Sequence, residues 1–233
     1  MKIVSYNILA QRFNRSDDAE PLDIRTSQII NNLLSEDPCV ICLQEVELCD
    51  FEKDFKDIIV EYDYFSHVVS KKRRSPIGNV ILWKKCYEKV KTLNTFASVL
   101  VSLKVKDKEL LIANVHLKAG MLSGEKERLS QMPSVLKHDP DIICGDFNDT
   151  MSEERALYGL IKDKYKALTP GLTGYVKGSC NDSTGMPYWP FDHFIYKETS
   201  LKTANVLPTD LSCPIPNKLQ PSDHLMVVFN CEF

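Results

Sequence analysis

Six short polar clusters stand at the ends of apolar, strand-like runs, and their side chains include amides, carboxylates and imidazoles. The clusters are Ser5-Tyr6-Asn7, Gln44-Glu45, Asn114-Val115-His116, Gly145-Asp146-Phe147-Asn148, Asp192-His193 and Ser222-Asp223-His224. The first four follow an apolar run, and the last two precede one. In a mixed sheet the end of one strand and the start of an antiparallel neighbour share an edge, where all six clusters can converge. These residue types at one edge predict a metal-assisted site that cleaves phosphate esters.

Glu45 is the residue that most directly indicates a metal. It follows the buried apolar run 39–43, where an unpaired carboxylate is costly. A hard cation offsets that cost, because Mg²⁺ in proteins takes one or two carboxylates together with water and substrate phosphate oxygens. A salt bridge at the end of the strand is the alternative interpretation.

Asp146 and Asn148 lie two residues apart, so in an extended segment their side chains face the same side. The carboxylate can take a proton from attacking water while the amide donates to a phosphoryl oxygen. Gly145 permits close approach of the backbone. The alternative is an Asx turn that only ends the strand.

His116 and His224 are the candidate cations of the site. A lone histidine near a strand end is usually structural, but a protonated imidazole can stabilise the charge of a pentacoordinate phosphate. Asp192 can hold His224 in the required tautomer and raise its affinity for a proton. Each feature alone is weak, whereas their joint occurrence in one chain of 233 residues is difficult to explain as accident.

The composition indicates a globular protein: 43% of the 233 residues are hydrophobic and 26% are charged. No repeat or linker divides the chain, and we therefore predict one catalytic domain over residues 1–233. The formal net charge of -3 excludes a global basic field that could hold a long duplex through phosphate contacts alone. A local basic stretch contains Arg73 and Arg74, which either face a substrate or lie in a solvated turn.

The start of the chain and its cysteines indicate a cellular compartment. Met1-Lys2 leads directly into a strand pattern without the features of a signal peptide, and no apolar run approaches the length of a membrane span. Without a secretory signal, the eight cysteines are expected to be reduced thiols. We expect a monomer in the cytoplasm or the nucleus that has no membrane partner.

Apolar runs and turn residues predict many strands with interspersed helices. The predicted strands cover about residues 2–8, 39–43, 62–69, 77–84, 97–105, 109–117, 141–144, 192–197, 201–206 and 225–231. Helices are predicted from Leu22, over 48–59, over 124–137 and from Ser152, and residues 169–191 are predicted to form a long surface loop. This order predicts an α/β fold in which two mixed β-sheets pack face to face with helices on the outside.

The ordered motifs resemble those of the endonuclease/exonuclease/phosphatase superfamily. They are Ser5-Tyr6-Asn7-Ile8-Leu9, Leu43-Gln44-Glu45-Val46, Asn114-Val115-His116-Leu117, Gly145-Asp146-Phe147-Asn148, Asp192 with Phe194-Ile195-Tyr196, and Pro221-Ser222-Asp223-His224-Leu225. The resemblance covers about residues 2–231. The chain looks most like the branch that contains the carbon-catabolite-repression deadenylases, nocturnin, the Angel proteins and the 2′-phosphodiesterases.

The resemblance implies a four-layer α/β sandwich with Mg²⁺ at one edge, for which Mn²⁺ is a possible substitute. Glu45 would be the principal metal ligand, with Asn7 beside it and Asp223 at or near the ion.

The resemblance also implies catalytic roles. Asp146 would activate the water, and Asn148 and His116 would hold the phosphate. His224, supported by Asp192, would stabilise the transition state.

The resemblance leaves the substrate open. The segment His116-Leu117-Lys118-Ala119 is more similar to nocturnin than to the poly(A) enzymes, and Lys118 would then meet an extra phosphate. Tyr188 and Trp189 precede Asp192, where deadenylases present an aromatic ring to adenine, and base stacking is typically worth about 1 to 3 kcal/mol. The alternative is that these two rings close the core beneath a long loop.

We predict an enzyme, a Mg²⁺-dependent hydrolase whose substrate is RNA or a small nucleotide. A 3′-to-5′ exoribonuclease acting on poly(A) or oligoadenylate is the leading hypothesis. The alternatives are a phosphatase of NADP or another small nucleotide, and an enzyme that processes 2′,3′-cyclic phosphate ends of RNA. A catalytically silent module that binds phosphate-bearing ligands is a hypothesis from a different class. His116 disfavours an abasic-site DNA endonuclease, because such enzymes tend to carry tyrosine at that position.

Overall fold

The computed structural model describes residues 1–17, 19–70, 76–175, 188–197, 201–206 and 214–232. The strands in these ranges are β1 (Lys2–Asn7), β2 (Val40–Glu47), β3 (Tyr62–Ser70), β4 (Ile77–Lys84), β5 (Glu88–Asn94), β6 (Ser98–Val105), β7 (Lys108–His116), β8 (Ile142–Asp146), β9 (Lys166–Leu168), β10 (Gly174–Tyr175), β11 (Tyr188–Trp189), β12 (Asp192–Tyr196), β13 (Leu201–Val206) and β14 (Val227–Glu232). The helices are α1 (Leu22–Glu36), α2 (Phe51–Asp54), α3 (Lys56–Ile59), α4 (Glu125–Leu136) and α5 (Ala156–Gly159). A short 3-10 helix, Gln11–Phe13, follows β1.

The strands form two large mixed sheets of six strands each, and β10 pairs with β11 in a separate ribbon. The order is β13-β14-β1-β2-β4-β3 in the first sheet and β5-β6-β7-β8-β12-β9 in the second. One pair in each sheet is parallel, β1 with β2 and β7 with β8. Because a parallel pair needs a crossover connection, α1 joins the first pair and α4 joins the second.

Three apolar clusters separate four layers of secondary structure. The cluster between the sheets includes Phe194 and Phe229, whose rings stack with their centroids 4.6 Å apart. A second cluster packs α1 against the outer face of the first sheet through Leu33. A third packs α4 against the outer face of the second sheet through Met132. The predicted fold class, a four-layer α/β sandwich with two mixed sheets face to face and helices outside, is therefore confirmed.

Some predicted elements differ from the structure. The predicted helix over 48–59 is two single turns, α2 and α3, because the chain leaves the helical conformation at Phe55. The prediction that Ser152 begins a helix is wrong: the Ser152 carbonyl accepts a turn hydrogen bond from Arg155 N at 2.9 Å, and α5 begins at Ala156.

Strand β5 was absent from the predicted set, and its exposure explains why. Most of its side chains face solvent at the edge of the second sheet, so the segment lacks the alternation of apolar and polar residues that marks a half-buried strand. The predicted loop 169–191 contains β10 and β11 at its two described ends.

A buried hydrogen bond joins the two sheets at the end that carries the polar clusters. Gln44 of β2 donates from Nε2 to Asn114 Oδ1 of β7 at 2.7 Å, and both residues are fully buried. Asn114 donates in turn from Nδ2 to the carbonyl oxygens of Leu43 at 2.9 Å and Val80 at 2.8 Å. The interface between the sheets is therefore polar at this end and apolar through the cluster around Phe194.

A second polar contact joins the sheets at the same end. Asn79 of β4 donates from Nδ2 to Ala97 O at 3.1 Å, and Ala97 O also accepts a hydrogen bond from His116 N at 3.0 Å. Gln44 directly precedes Glu45, and Asn114 lies two residues before His116. The polar links between the sheets thus lie beside Glu45 and His116, two of the predicted site residues.

Among the described cysteines, Cys39, Cys42, Cys86 and Cys144 are free thiols. Among the helices in the described ranges, none has the length and apolar content needed to cross a membrane.

The substitution Asn114→Ala tests the hydrogen-bonded link between the sheets. It removes the acceptor of the 2.7 Å hydrogen bond from Gln44 Nε2 and the donor that bonds the carbonyl oxygens of Leu43 and Val80, so we expect the free energy of unfolding to fall by about 2 to 4 kcal/mol. Urea denaturation measures this change. The control is Asn94→Ala at the exposed end of β5, which should change stability by no more than about 0.5 kcal/mol. Equal stability of the two variants would show that the link is unimportant.

Candidate active site

Asn7 and Glu45 form the contribution of the first sheet to the site. Asn7 ends β1, and its Oδ1 accepts a hydrogen bond from Leu9 N at 3.1 Å, which turns the chain out of the strand. A bulge interrupts the pairing of β2 with β4 beside Glu45, which takes a left-handed conformation with a φ of 58°. Glu45 Oε1 then lies 3.4 Å from Asn7 Nδ2, and Oε2 accepts a hydrogen bond from Ala10 N at 3.2 Å.

Asp146 lies at the centre of the site. It ends β8 and is only 1% exposed. Its Oδ2 is 3.1 Å from Asn7 Nδ2, 3.7 Å from His116 Nε2 and 3.6 Å from His224 Nε2. Its Oδ1 accepts a hydrogen bond from Asn148 N at 2.8 Å. Side chains from β1, β7 and the segment before β14 therefore face one carboxylate.

Burial has the largest influence on the pKa of this carboxyl group. It raises the pKa of Asp146 above that of an ordinary carboxyl group, while the imidazole of His224 opposes the increase and the carboxylate of Asp192 adds to it.

His224 and Asp192 form a hydrogen-bonded pair. Asp192 begins β12 directly opposite Asp146 of β8, and its Oδ2 lies 2.8 Å from His224 Nδ1. Because this contact occupies Nδ1, Nε2 is the nitrogen that faces Asp146. Burial acts to lower the pKa of His224, but the carboxylates of Asp192 and Asp146 outweigh it and hold the pKa well above the ordinary value. The pair therefore presents an oriented imidazole to Asp146, and the raised pKa favours its protonated form.

Ser222 attaches the last cluster to the end of β1. Its Oγ donates a hydrogen bond to Asn7 O at 2.6 Å and accepts one from His224 N at 3.2 Å. Asp223 lies between these residues and is partly buried. Burial raises the pKa of Asp223 to about 6; His224 opposes this increase, and the charge of Glu45 adds to it.

Asn148 and Gly145 flank the ends of β7 and β8. Asn148 has a φ of 50°, and its Nδ2 donates to Leu117 O at 3.1 Å. Its backbone N–H donates to Asp146 and so completes an Asx turn, which was the alternative interpretation of this motif. The turn nevertheless borders the site. A Cβ atom on Gly145 would lie 2.0 Å from Val115 O, so the predicted close approach of the backbone is confirmed.

The donor set of the site fits a hard divalent cation. Four carboxylates lie at the site, those of Glu45, Asp146, Asp192 and Asp223. Two imidazoles face them, so negative charge exceeds positive charge even when both rings are protonated. Asp192 Oδ1 is buried and has no hydrogen-bond donor among the described residues. Carboxylate oxygens are the protein ligands that Mg²⁺ prefers.

Asp192, one of these four carboxylates, is already hydrogen-bonded to His224. Ligand atoms of Asp146, Asp192 and His224 lie within 4.8 Å of one another. The 2.8 Å bond between Asp192 and His224 nevertheless uses Nδ1 and one carboxylate oxygen, so this pair suits proton sharing better than ion binding. Glu45 and Asp223 lack such a partner imidazole at hydrogen-bond distance within the described part of the chain.

The aromatic residues predicted to bind substrate differ in exposure. Tyr188 is 1% exposed and packs its ring edge-on against Tyr175 with centroids 5.3 Å apart. The prediction that Tyr188 stacks on a base is therefore wrong, because the ring is inside the core as the alternative interpretation held. Trp189 is half-buried and stacks on Phe191 at 6.3 Å, and its contact with a substrate stays a prediction.

Of the three basic residues predicted to bind substrate, only Lys118 lies within the described residues. Lys118 is exposed in the loop after β7, two residues beyond His116, and its backbone N–H donates to Gln131 Oε1 at 2.9 Å. Arg73 and Arg74 lie outside the described residues.

Sequence reasoning missed Arg25, which is fully buried in the first turn of α1. Its Nη2 donates to the carbonyl oxygens of Ile8 at 3.0 Å and Leu9 at 2.7 Å, and its Nε donates to Pro221 O at 2.6 Å. These bonds tie the loop after β1 to the segment that leads into Ser222. A cation in the first turn of a helix opposes the helix dipole, so these hydrogen bonds must compensate.

The sequence contains a pattern that could have predicted the burial of Arg25. Arg25, Ile29 and Leu33 are spaced four residues apart and share the buried face of α1. A charged residue in line with an apolar stripe predicts a buried cation that needs oxygen acceptors.

Arg128 makes the equivalent contacts in the second sheet. It is the fourth residue of α4, as Arg25 is the fourth residue of α1. Its Nη1 donates to the carbonyl oxygens of Lys118 at 2.9 Å and Gly120 at 2.8 Å, in the loop after β7. Its Nη2 lies 3.2 Å from Asp149 Oδ2. Each half of the sandwich thus has a buried arginine that fixes the loop carrying part of the site.

Two mixed sheets with carboxylates, amides and imidazoles at one shared edge define a metal-dependent phosphoesterase. The model of the Endonuclease/Exonuclease/phosphatase family matches residues 4–224, and the chain belongs to this family. It is a hydrolase of phosphate esters, of the nuclease and phosphodiesterase class, and depends on a divalent metal. The resemblance stated from the six motifs is therefore confirmed. A comparison with curated proteins finds no matching sequence.

Solved structures of three proteins share the fold. The human nocturnin catalytic domain with bound sulfate is 21% identical, with a TM-score of 0.71 over 100% of this chain and 94% of that chain. ANGEL2, a 2′,3′-cyclic phosphatase in complex with adenosine-2′,3′-vanadate, is 17% identical, with a TM-score of 0.72 over 100% of this chain and 96% of that chain. D. rerio TDP2, humanised by 14 mutations, is 16% identical, with a TM-score of 0.72 over 99% of this chain and 98% of that chain.

The substitution Arg25→Met tests the loop-fixing role of the buried arginine. Methionine keeps the apolar stem but leaves the carbonyl oxygens of Ile8, Leu9 and Pro221 unbonded, so we expect a loss of about 2 to 4 kcal/mol in the free energy of unfolding. Arg25→Lys should also destabilise, because an ammonium group does not reproduce the planar fork. Urea denaturation measures both changes. The exposed Arg15→Met is the control, and an Arg25→Met variant as stable as this control would contradict the assignment.

Proposed function

We propose that this protein is a Mg²⁺-dependent phosphoesterase that acts on RNA ends, with water attacking the phosphorus in line with the leaving group. The main support for the proposal is that two imidazoles lie close to the Asp146 carboxylate: Asp146 Oδ2 is 3.7 Å from His116 Nε2 and 3.6 Å from His224 Nε2. A carboxylate bordered by imidazoles at one rim can bring water, phosphate and a stabilising charge together.

Each residue of the rim has one part in the proposed reaction. Asp146 takes the proton of the attacking water. Asn148 and His116 hold the phosphoryl oxygens. His224, oriented by the 2.8 Å bond to Asp192, stabilises the negative charge that develops in the transition state.

The metal ligands in this proposal are Glu45, Asn7 and Asp223, and Mn²⁺ is expected to replace Mg²⁺. When bound, the ion supplies positive charge that polarises the phosphate and stabilises the leaving oxygen. The Asn7 amide directs Nδ2 towards Glu45 and Asp146, so binding a cation requires it to present its oxygen instead.

An adenine-containing RNA end is the substrate we favour, with AMP released in the 3′-to-5′ direction from poly(A) or oligoadenylate. The half-buried Trp189, three residues before Asp192, supports contact with one of the bases near the RNA end. The description of ANGEL2 as a 2′,3′-cyclic phosphatase bound to adenosine-2′,3′-vanadate supports a substrate of RNA-end chemistry, and makes cyclic phosphate ends a further candidate. We also propose that the chain acts as a single-domain monomer in the cytoplasm or the nucleus.

A phosphatase of NADP or another small nucleotide is the second candidate. It is favoured by Lys118, which is exposed two residues beyond His116 on a loop that Arg128 fixes. A cation there can meet a phosphate that RNA ends lack. Such an enzyme would release inorganic phosphate rather than AMP.

The substitution Asp146→Asn tests the proposed proton acceptor. Because asparagine keeps the shape but cannot accept the proton, we expect kcat to fall by about 10² to 10⁴-fold while the fold is retained. Steady-state kinetics with Mg²⁺ measure kcat, and circular dichroism checks the fold. The control is Asp107→Asn, at the exposed β6–β7 turn, which should retain full activity. A folded Asp146→Asn variant with near-normal turnover would refute this role.

Parallel product assays separate the candidate substrates. Poly(A), 2′–5′ oligoadenylate, RNA with a 2′,3′-cyclic end and NADP are each incubated with the protein and Mg²⁺. We expect AMP from poly(A) or oligoadenylate, with all turnover abolished by EDTA and restored by Mg²⁺ or Mn²⁺. Release of inorganic phosphate from NADP alone would favour the second candidate, and no product from any of the four would favour a silent module.

A further inference from the structure

A cavity of about 270 Å³ adjoins the site on the side of the first sheet. Its apolar walls include Phe13, Tyr175 and Ile215, and Asp223 also lines it. Phe13 is 45% exposed, whereas Ile215 is 2% exposed and forms the floor. Large aromatic and aliphatic surfaces around an open concave space are typical of a ligand pocket.

Hydrogen bonds connect the walls of the cavity to the active-site rim. Ser16 Oγ donates to Pro216 O at 3.0 Å, which joins the loop after Phe13 to the loop that carries Ile215. Tyr175 N donates to Asp223 O at 2.8 Å, which fixes the tyrosine beside the last polar cluster. The cavity is therefore built from the same segments that place the carboxylates.

We propose that this cavity binds the base of the nucleotide whose phosphate lies at Asp146. The inference rests on the proposed function and names a subsite for it. Asp223 lines the cavity and also lies near the charges of Glu45 and Asp146, so the cavity adjoins the place where the phosphate would bind. Phe13 and Tyr175 offer π-faces, and stacking on aromatic side chains accepts any base.

The polar groups of the cavity favour the same ligand. Arg15 and Asp17 line the cavity and are exposed. A nucleobase has an apolar face and a polar edge with donors and acceptors, so it can place its face on Phe13 while its edge meets these side chains. A purely aliphatic ligand would leave both charged groups without a polar contact.

Two substitutions test the base subsite. Ile215→Trp fills the cavity from its floor, and Phe13→Ala removes an exposed ring without disturbing the core. Leu219→Trp, in the same loop but 89% exposed, is the matched control that adds the same side chain outside the cavity. Adenylyl-(3′→5′)-adenosine is compared with methyl p-nitrophenyl phosphate, an ester that has no nucleobase, and AMP binding with Mg²⁺ is followed by calorimetry.

We expect each cavity variant to raise KM for the dinucleotide about 10-fold more than KM for the base-free ester, the size of effect that loss of one stacking contact causes. AMP affinity should fall by about the same factor, while Leu219→Trp should match the wild type. Equal effects on the two esters, or unchanged AMP affinity in both cavity variants, would overturn the base subsite.

The calorimetric measurement separates this subsite from the proposed function. If the wild type hydrolyses no ester but binds AMP, and Phe13→Ala weakens that binding, the cavity assignment stands and the proposed reaction fails. If the wild type hydrolyses both esters and the cavity variants behave as the control does, the reaction stands and the base subsite fails.

Discussion

The hydrogen bond between Gln44 and Asn114 is the constraint on which the site depends. Two sheets that pack only through apolar side chains can shift relative to each other with little loss of stability, because the hydrophobic effect has no direction. A buried amide pair at 2.7 Å has a direction, and its partners are costly to leave unbonded. Since Gln44 precedes Glu45 and Asn114 lies two residues before His116, the pair fixes how a carboxylate from one sheet meets an imidazole from the other.

The two halves of the sandwich share the same local arrangement of strands, helix and buried arginine. In each, a parallel pair of strands is joined by a helix whose fourth residue is a buried arginine, and that arginine binds carbonyl oxygens in the loop after the first strand. Asn7 and His116 end those first strands, and Glu45 and Asp146 lie on the second strands. The site is therefore assembled from equivalent positions of two similar units. Asp192 is added from β12, the antiparallel neighbour of β8, and His224 from the segment before β14, the antiparallel neighbour of β1.

The polar clusters could be predicted from sequence because strand ends and residue types are local properties. The convergence of Asn7, Asp146 and His224 followed from the strand-edge rule and the family motifs. Arg25 was missed because its oxygen partners come from distant segments, although its place in an apolar helix stripe was visible. Tyr188 was misjudged because an aromatic residue next to a site has the same sequence pattern whether it faces substrate or core. Strand β5 was missed because edge strands lack alternation.

Anomalous diffraction from Mn²⁺-soaked crystals tests the central claim most directly, since it locates the ion without reference to substrate. We expect one strong peak at coordination distance from the carboxylate of Glu45, at the rim shared by Asp146 and Asp223. A peak on the Asp192 and His224 pair with none at Glu45, or no peak anywhere near this rim, would contradict it.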